Sequence, residues 1–304
     1  MSTETTRAVP VRGGFLDVRT RGGLGATGPG GLGATVPGGP GPAAPADTGA
    51  PTLVFVHYWG GSAATWDAVV ERLPATRRTV RYDQRGWGAA RELPGPHDLD
   101  ALADDLAAVV TALGLERYVL VGHSMGGKVA QLLAARRPSG LAGLVLVAPA
   151  PPEPPAHVTE EYRQALAHAY DSAQDVGTAL DHVLTAAPLP EPVRAAVVRD
   201  SLAAGAQARR EWPLRGIARD VTDAARRIDV PVTVLAGERD QVEPPHVLRD
   251  HLLPYIPHAR LDVVPGAGHL LPLEAPDAVA ASLRVLTGER AEVEEIGEVG
   301  EVDA

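Results

Sequence analysis

Short runs of β-branched and aliphatic residues alternate with helical patterns along most of this 304-residue chain, and that alternation leaves few folds open. The runs are TLVFVH (52–57), TVRYD (79–83), YVLVG (118–122), GLVLVA (143–148), VTVLAG (232–237) and RLDVV (260–264). They are largely continuous apolar stretches, not apolar–polar alternations, which marks strands covered on both faces, as in a parallel sheet. Phe15–Thr20 reads as an earlier strand, hairpin-linked to the one before it. Leu99–Leu113 and Met125–Arg137 carry apolar residues at helical spacing; Gly114 ends the first and Pro138 stops the second. The pattern predicts an α/β fold, a mostly parallel doubly wound sheet with helices on both faces.

The rhythm breaks between Pro149 and Arg227. PAPPEPP opens this stretch, and only helical patterns follow, around Glu160–Ala173, Val176–Thr185, Pro192–Leu202 and Ile217–Ile228. An all-helical insertion between two strands predicts a cap over one edge of the sheet. The expected organisation is a first core part over 1–149, a helical cap over 150–228, a second core part over 229–287 and an acidic tail over 288–304. Residues 21–51 interrupt the first part: 17 of these 31 are Gly or Pro. Such a stretch buries too little apolar area to offset its ordering entropy, which predicts a mobile, disordered loop. It holds GPGGLG (28–33), a formal G-x-G-x-x-G, but PGGPGPAAP follows where a dinucleotide site needs a helix.

Composition removes several function classes. There is no cysteine, which excludes disulfides, thiolate metal sites and a Cys nucleophile. The net charge is −10, and the tail holds seven acids against Arg290 alone. Nucleic acid and anionic membrane surfaces are therefore not expected partners. No apolar run approaches the roughly 18 residues of a membrane span, and the N-terminus lacks a signal-peptide core. These features predict a soluble, cytoplasmic protein. No HExxH or His/carboxylate cluster points to a metal, so no cofactor is expected.

The chemistry is carried by GHSMG (122–126), which follows strand YVLV directly and opens a helix. That context turns G-x-S-x-G into a sharp strand-to-helix turn presenting Ser124 as a nucleophile above the sheet. A serine needs a base. His269, in PGAGHLLPLEAP after the last strand, stands on a Gly-rich loop late in the chain, where this motif expects its histidine. The base needs an orienting carboxylate. Asp240, just past the strand VTVLAG, completes the order Ser…Asp…His ahead of Glu238, Asp262 and Glu153. Two backbone N–H groups must hold an oxyanion. Met125, following the serine, supplies one, and Trp59, in the loop HYWGGSAATW (57–66), supplies the other. Trp59 and Trp87 sit on strand-end loops and are expected to line the substrate pocket. His57 and His123 are read as structural, Asp83 and Arg85 as braces of their loop, and Trp66 as core. Trp212, Tyr162 and Tyr170 face the pocket or pack the cap.

Taken together, HYWGGS, RYDQRGWG (81–88), GHSMGG and GERD…GAGH resemble the α/β-hydrolase fold superfamily. More narrowly, they resemble its small capped esterase, lactonase and cofactor-free haloperoxidase-like group. The resemblance covers roughly Val9 to Val285, apart from the Gly/Pro loop. It implies Ser124, Asp240 and His269 as a catalytic triad, with Trp59 and Met125 as oxyanion donors. The implied activity is hydrolysis of a small or medium carboxylic ester or lactone through an acyl-enzyme. The same frame also serves perhydrolases, carbon–carbon or enol-lactone hydrolases and non-catalytic binding proteins. A serine nucleophile is unlike the aspartate of haloalkane dehalogenases and epoxide hydrolases of this fold. The chain departs from the usual pattern at Tyr58, where relatives carry Gly, and at Ala89–Ala90, where a small residue and Ser are usual.

Overall fold

The computed structural model describes residues 4–22 and 49–286. Most of the Gly/Pro segment (23–48) and the acidic tail lie outside the described residues, as does the GPGGLG motif. Eight strands form one sheet: β1 (Glu4–Val11), β2 (Gly14–Arg21), β3 (Thr52–Val56), β4 (Thr79–Tyr82), β5 (Tyr118–His123), β6 (Leu141–Val147), β7 (Val232–Gly237) and β8 (Arg260–Val264). Their order is β1-β2-β4-β3-β5-β6-β7-β8. The first two pairings, β1 with β2 and β2 with β4, are antiparallel, and the rest are parallel.

The helices are α1 (Asp67–Glu71), α2 (Leu99–Ala112), α3 (Met125–Ala134), α4 (Glu160–Leu166), α5 (Ala173–Ala179), α6 (Glu191–Leu202), α7 (Ala206–Glu211), α8 (Thr222–Ala225), α9 (Pro245–His251), α10 (Leu271–Glu274) and α11 (Pro276–Leu286).

Strand periodicity divides the core into two layers. On one face Val54, Val56, Leu120, Leu144, Leu146 and Val234 pack against α2 and α3. On the other, Leu53, Phe55, Val119, Val121, Val145 and Val147 meet Trp66, Val69, Val279 and Leu283. The central strands β3, β5 and β7 are buried at every position, which explains their unbroken apolar runs. The edge strand β8 is not, and RLDVV is correspondingly mixed. Helix α2 starts where Asp98 accepts a hydrogen bond from the Ala101 amide and ends before Gly114 at φ +60°.

Between β6 and β7 every regular element is helical. Here the expected boundaries need correction. The pattern over Glu160–Ala173 yields a helix that ends at Leu166, and the next begins at Ala173, where Ser172 caps it by accepting from the Asp175 amide. The pattern over Ile217–Ile228 yields only α8. Asp220 Oδ1 accepts from the Thr222 amide, and the Val221 amide leaves to bond Pro152 O, so the ladder restarts. Two π-helical turns, Leu180–Leu184 and Trp212–Gly216, were not anticipated, nor was α7. Among the described residues no helix is long and apolar enough to cross a membrane.

Candidate active site

Parallel register brings the carboxyl ends of β3, β5, β7 and β8 to one edge, and the loops leaving them build the site. The turn after β5 is tight. Ser124 adopts φ +53° and ψ −118°, a conformation that L-residues avoid, costing about 1–3 kcal/mol. It persists because its surroundings admit nothing else. A Cβ on Gly122 would lie 2.5 Å from Gly126 O, and one on Gly126 would lie 2.5 Å from both Val56 O and His57 O. A Cβ on Gly127 would meet Pro149 at 2.8 Å. The Ser124 amide donates to Val147 O and its carbonyl accepts from the Ala150 amide, tying the turn to β6.

Ser124 Oγ lies 3.0 Å from His269 Nε2, and His269 Nδ1 lies 2.9 Å from Asp240 Oδ2. All three side chains are buried. Burial opposes ionisation of Asp240, but the His269 ring and the amides of Glu243 and Val242 outweigh it and hold the carboxyl below its ordinary value. The histidine loop is anchored to the helical layer, where Leu184 O accepts from the amides of His269 and Leu270. Glu274 Oε1 accepts from Ala186 and Gly268 and fastens the same joint.

The neighbouring histidines are structural. His57 is fully buried; its Nε2 accepts from the Gln84 amide and its Nδ1 donates to Tyr58 O. Burial lowers its pKa and keeps it neutral. His123 donates from Nε2 to His269 O. Burial first, and the His269 charge second, lower its pKa to about 3. Asp83 accepts from the amides of Ala63 and Ala89, bracing two loops at once. Arg85 forms a buried two-pronged pair with Asp105 on α2.

Trp59, on the loop after β3, lines the same cavity as Ser124. The helical layer clamps this loop. The Trp59 ring stacks on Tyr170 with centroids 4.0 Å apart, and its indole N–H donates to Arg209 O. Ser201 Oγ donates to Gly60 O, and Ser62 Oγ donates to Asp200. Gly60 sits at φ +95°, and a Cβ there would lie 2.5 Å from the Tyr170 ring. Tyr58 is buried with its ring 5.0 Å from that of His123.

A cavity of about 270 Å³ opens on Ser124 and His269. Its wall is mostly apolar and comes largely from the helical layer, with Leu166, Ala169, Val183, Leu184 and Ile217 among its residues. Trp59, Tyr162, Tyr170 and Trp212 line it. Trp87 does not. It is 1% exposed, lies in the core and stands edge-on to His57, because the strand-end loop that carries it folds inward under Asp83. Sequence reasoning missed Glu243, which also lines the cavity. A lone acid in a Pro-rich loop reads as a solvated surface residue, so no signal marked it.

The chain belongs to the alpha/beta hydrolase family, whose model matches residues 53–282. It is 31% identical over 249 residues to the bifunctional esterase/perhydrolase DCH of Acinetobacter calcoaceticus, covering 77% of this chain and 90% of that protein. It is also 31% identical over 248 residues to a non-heme haloperoxidase of Rhodococcus erythropolis, covering 76% and 90%. Among solved structures it resembles the enol-lactonase from Burkholderia xenovorans LB400, with a TM-score of 0.74 at 22% identity, covering 93% of this chain and 100% of that one. That likeness is one of fold.

Proposed function

We propose that this hydrolase cleaves small or medium carboxylic esters or lactones, with Ser124 as nucleophile, His269 as base and Asp240 as its orienting acid. The observation that carries the reading is the row Ser124 Oγ–His269 Nε2–Asp240 at 3.0 and 2.9 Å, opening on an apolar cavity of about 270 Å³. His269 takes the Ser124 proton as Oγ attacks the acyl carbon. The amides of Met125 and Trp59 receive the oxyanion. His269 then protonates the leaving alcohol, and a water activated by the same ring hydrolyses the acyl-enzyme. Residues 150–228 act as a cap that shapes the cavity and excludes water.

Perhydrolysis is the second reading. It uses the same residues with hydrogen peroxide replacing water as acyl acceptor, and its support is the relative named an esterase/perhydrolase. Treatment with a fluorophosphonate, followed by intact-mass analysis and peptide mapping, tests the first reading. One adduct on Ser124, with parallel loss of p-nitrophenyl acetate turnover, is expected; unlabelled, folded protein overturns it. Bromination that requires both acetate and peroxide separates the second reading from the first.

A further inference from the structure

Asp240 uses its two carboxylate oxygens differently. Oδ2 faces His269, while Oδ1 accepts from the amides of Val242 at 2.7 Å and Glu243 at 3.0 Å. The tight turn closed by Oδ1 brings Val242 and Glu243 to the wall of the Ser124 cavity. Glu243 is 5% exposed, and its Oε2 is fully buried with no hydrogen-bond partner. Burial first, then the Asp240 charge, push its carboxyl well above the ordinary range, with Lys128 opposing them. Lys128, fully buried on α3, donates at 3.4 Å to Ile217 O, and burial lowers its ammonium to about 8. Tyr162 also lines the cavity, and burial first, then the Glu243 charge, raise its pKa and keep it a phenol. Burial thus favours the protonated carboxyl of Glu243, one O–H donor beside one acceptor, in a wall that is mostly apolar.

A buried polar group without a partner is costly, and among the described residues no group hydrogen-bonds Oε2. A purely hydrocarbon substrate leaves it unpaired. A cationic substrate favours the ionised carboxylate, which burial opposes. An uncharged oxygen function satisfies it. We propose that Glu243 is the specificity-determining residue of this cavity, hydrogen-bonding a keto or hydroxyl oxygen carried by the ester or lactone bound at Ser124. This rests on the serine-hydrolase reading above.

The test compares linear p-nitrophenyl esters with isosteres that carry a keto group at successive chain carbons. The wild type is measured beside Glu243→Gln and Glu243→Met. In the wild type one keto isomer exceeds its hydrocarbon isostere in kcat/KM by about 10-fold or more, the scale of an unpaired buried partner. Glu243→Gln, which retains a donor and an acceptor, keeps part of that preference. Glu243→Met, of similar length and apolar, reverses it. Equal rates across the ladder in the wild type, or a preference undiminished in Glu243→Met, overturn the proposal. Should no ester be turned over, the serine-hydrolase reading fails separately. The comparison then passes to dissociation constants of the matching methyl esters on Ser124→Ala, with and without Glu243→Met, measured by ligand-observed NMR. Equal binding of keto and hydrocarbon esters there overturns the Glu243 assignment. If Glu243→Met does not fold, Glu243→Leu takes its place.

Discussion

The two halves of the candidate site are held by different kinds of contact. The turn carrying Ser124 is fixed by backbone against backbone, with no room for a single extra carbon at Gly122 or Gly126. The loop carrying Trp59 is fixed by contacts that involve side chains and another layer: its ring stacked on Tyr170, a hydroxyl from Ser201, its indole N–H on the backbone Arg209 O. Close-packed backbone has one arrangement, whereas a stack and two hydrogen bonds can be exchanged for others. On the proposed mechanism the core half dictates which atom attacks, and the helical half dictates what fits and how well the oxyanion is met.

This contrast can be broken experimentally. On the proposed mechanism, Ser124→Ala lowers ester turnover by about 10,000-fold or more while leaving the thermal midpoint near wild type. Residual turnover near the wild-type rate would remove Ser124 from the reaction. Gly126→Ala forces a carbon against two carbonyl oxygens and lowers stability by about 1–3 kcal/mol in urea denaturation. An unchanged midpoint would show that the turn yields after all. Ser201→Ala leaves Gly60 O without its donor and lowers kcat by about three- to tenfold, with little change in stability. A loss in KM alone would mean that the helical layer only shapes the cavity.

The smallest effect concerns pH. Glu243 binds its proton more tightly folded than unfolded, so the folded state holds more protons above about pH 4.3, the unfolded value. Stability then falls as pH rises through that window. Glu243→Gln removes the slope, so its gain in thermal midpoint grows as pH rises above about 4.3. A gain independent of pH would show that the carboxyl titrates normally. Asp240 has the opposite sign: its folded value is depressed, so its contribution is present above about pH 3.9 and lost as pH falls through the lower folded value.

The same contrast explains what could be read from sequence. Fully buried parallel strands permit only apolar, mostly β-branched residues, so β3, β5 and β7 announced themselves within a residue or two. Gly122, Gly126 and Gly127 were readable because no other residue fits. The helical layer was blurred because its short helices start and stop on local hydrogen bonds to Ser172 and Asp220, which periodicity alone averages over. Trp87 misled because a strand-end position does not say whether a loop folds inward. Glu243 was invisible because its burial is set by a turn that Asp240 closes, not by its own neighbours in sequence.

The clamp on Gly60 has a consequence for how such a protein can diversify. A foreign helical insert grafted between Val147 and Val232 would bring its own selectivity, yet it would arrive without the ring of Tyr170 and the hydroxyl of Ser201. On the proposed mechanism such a chimaera changes its selectivity and slows its turnover together. Only a graft that carries a flat ring and a donor at those two places separates the two effects.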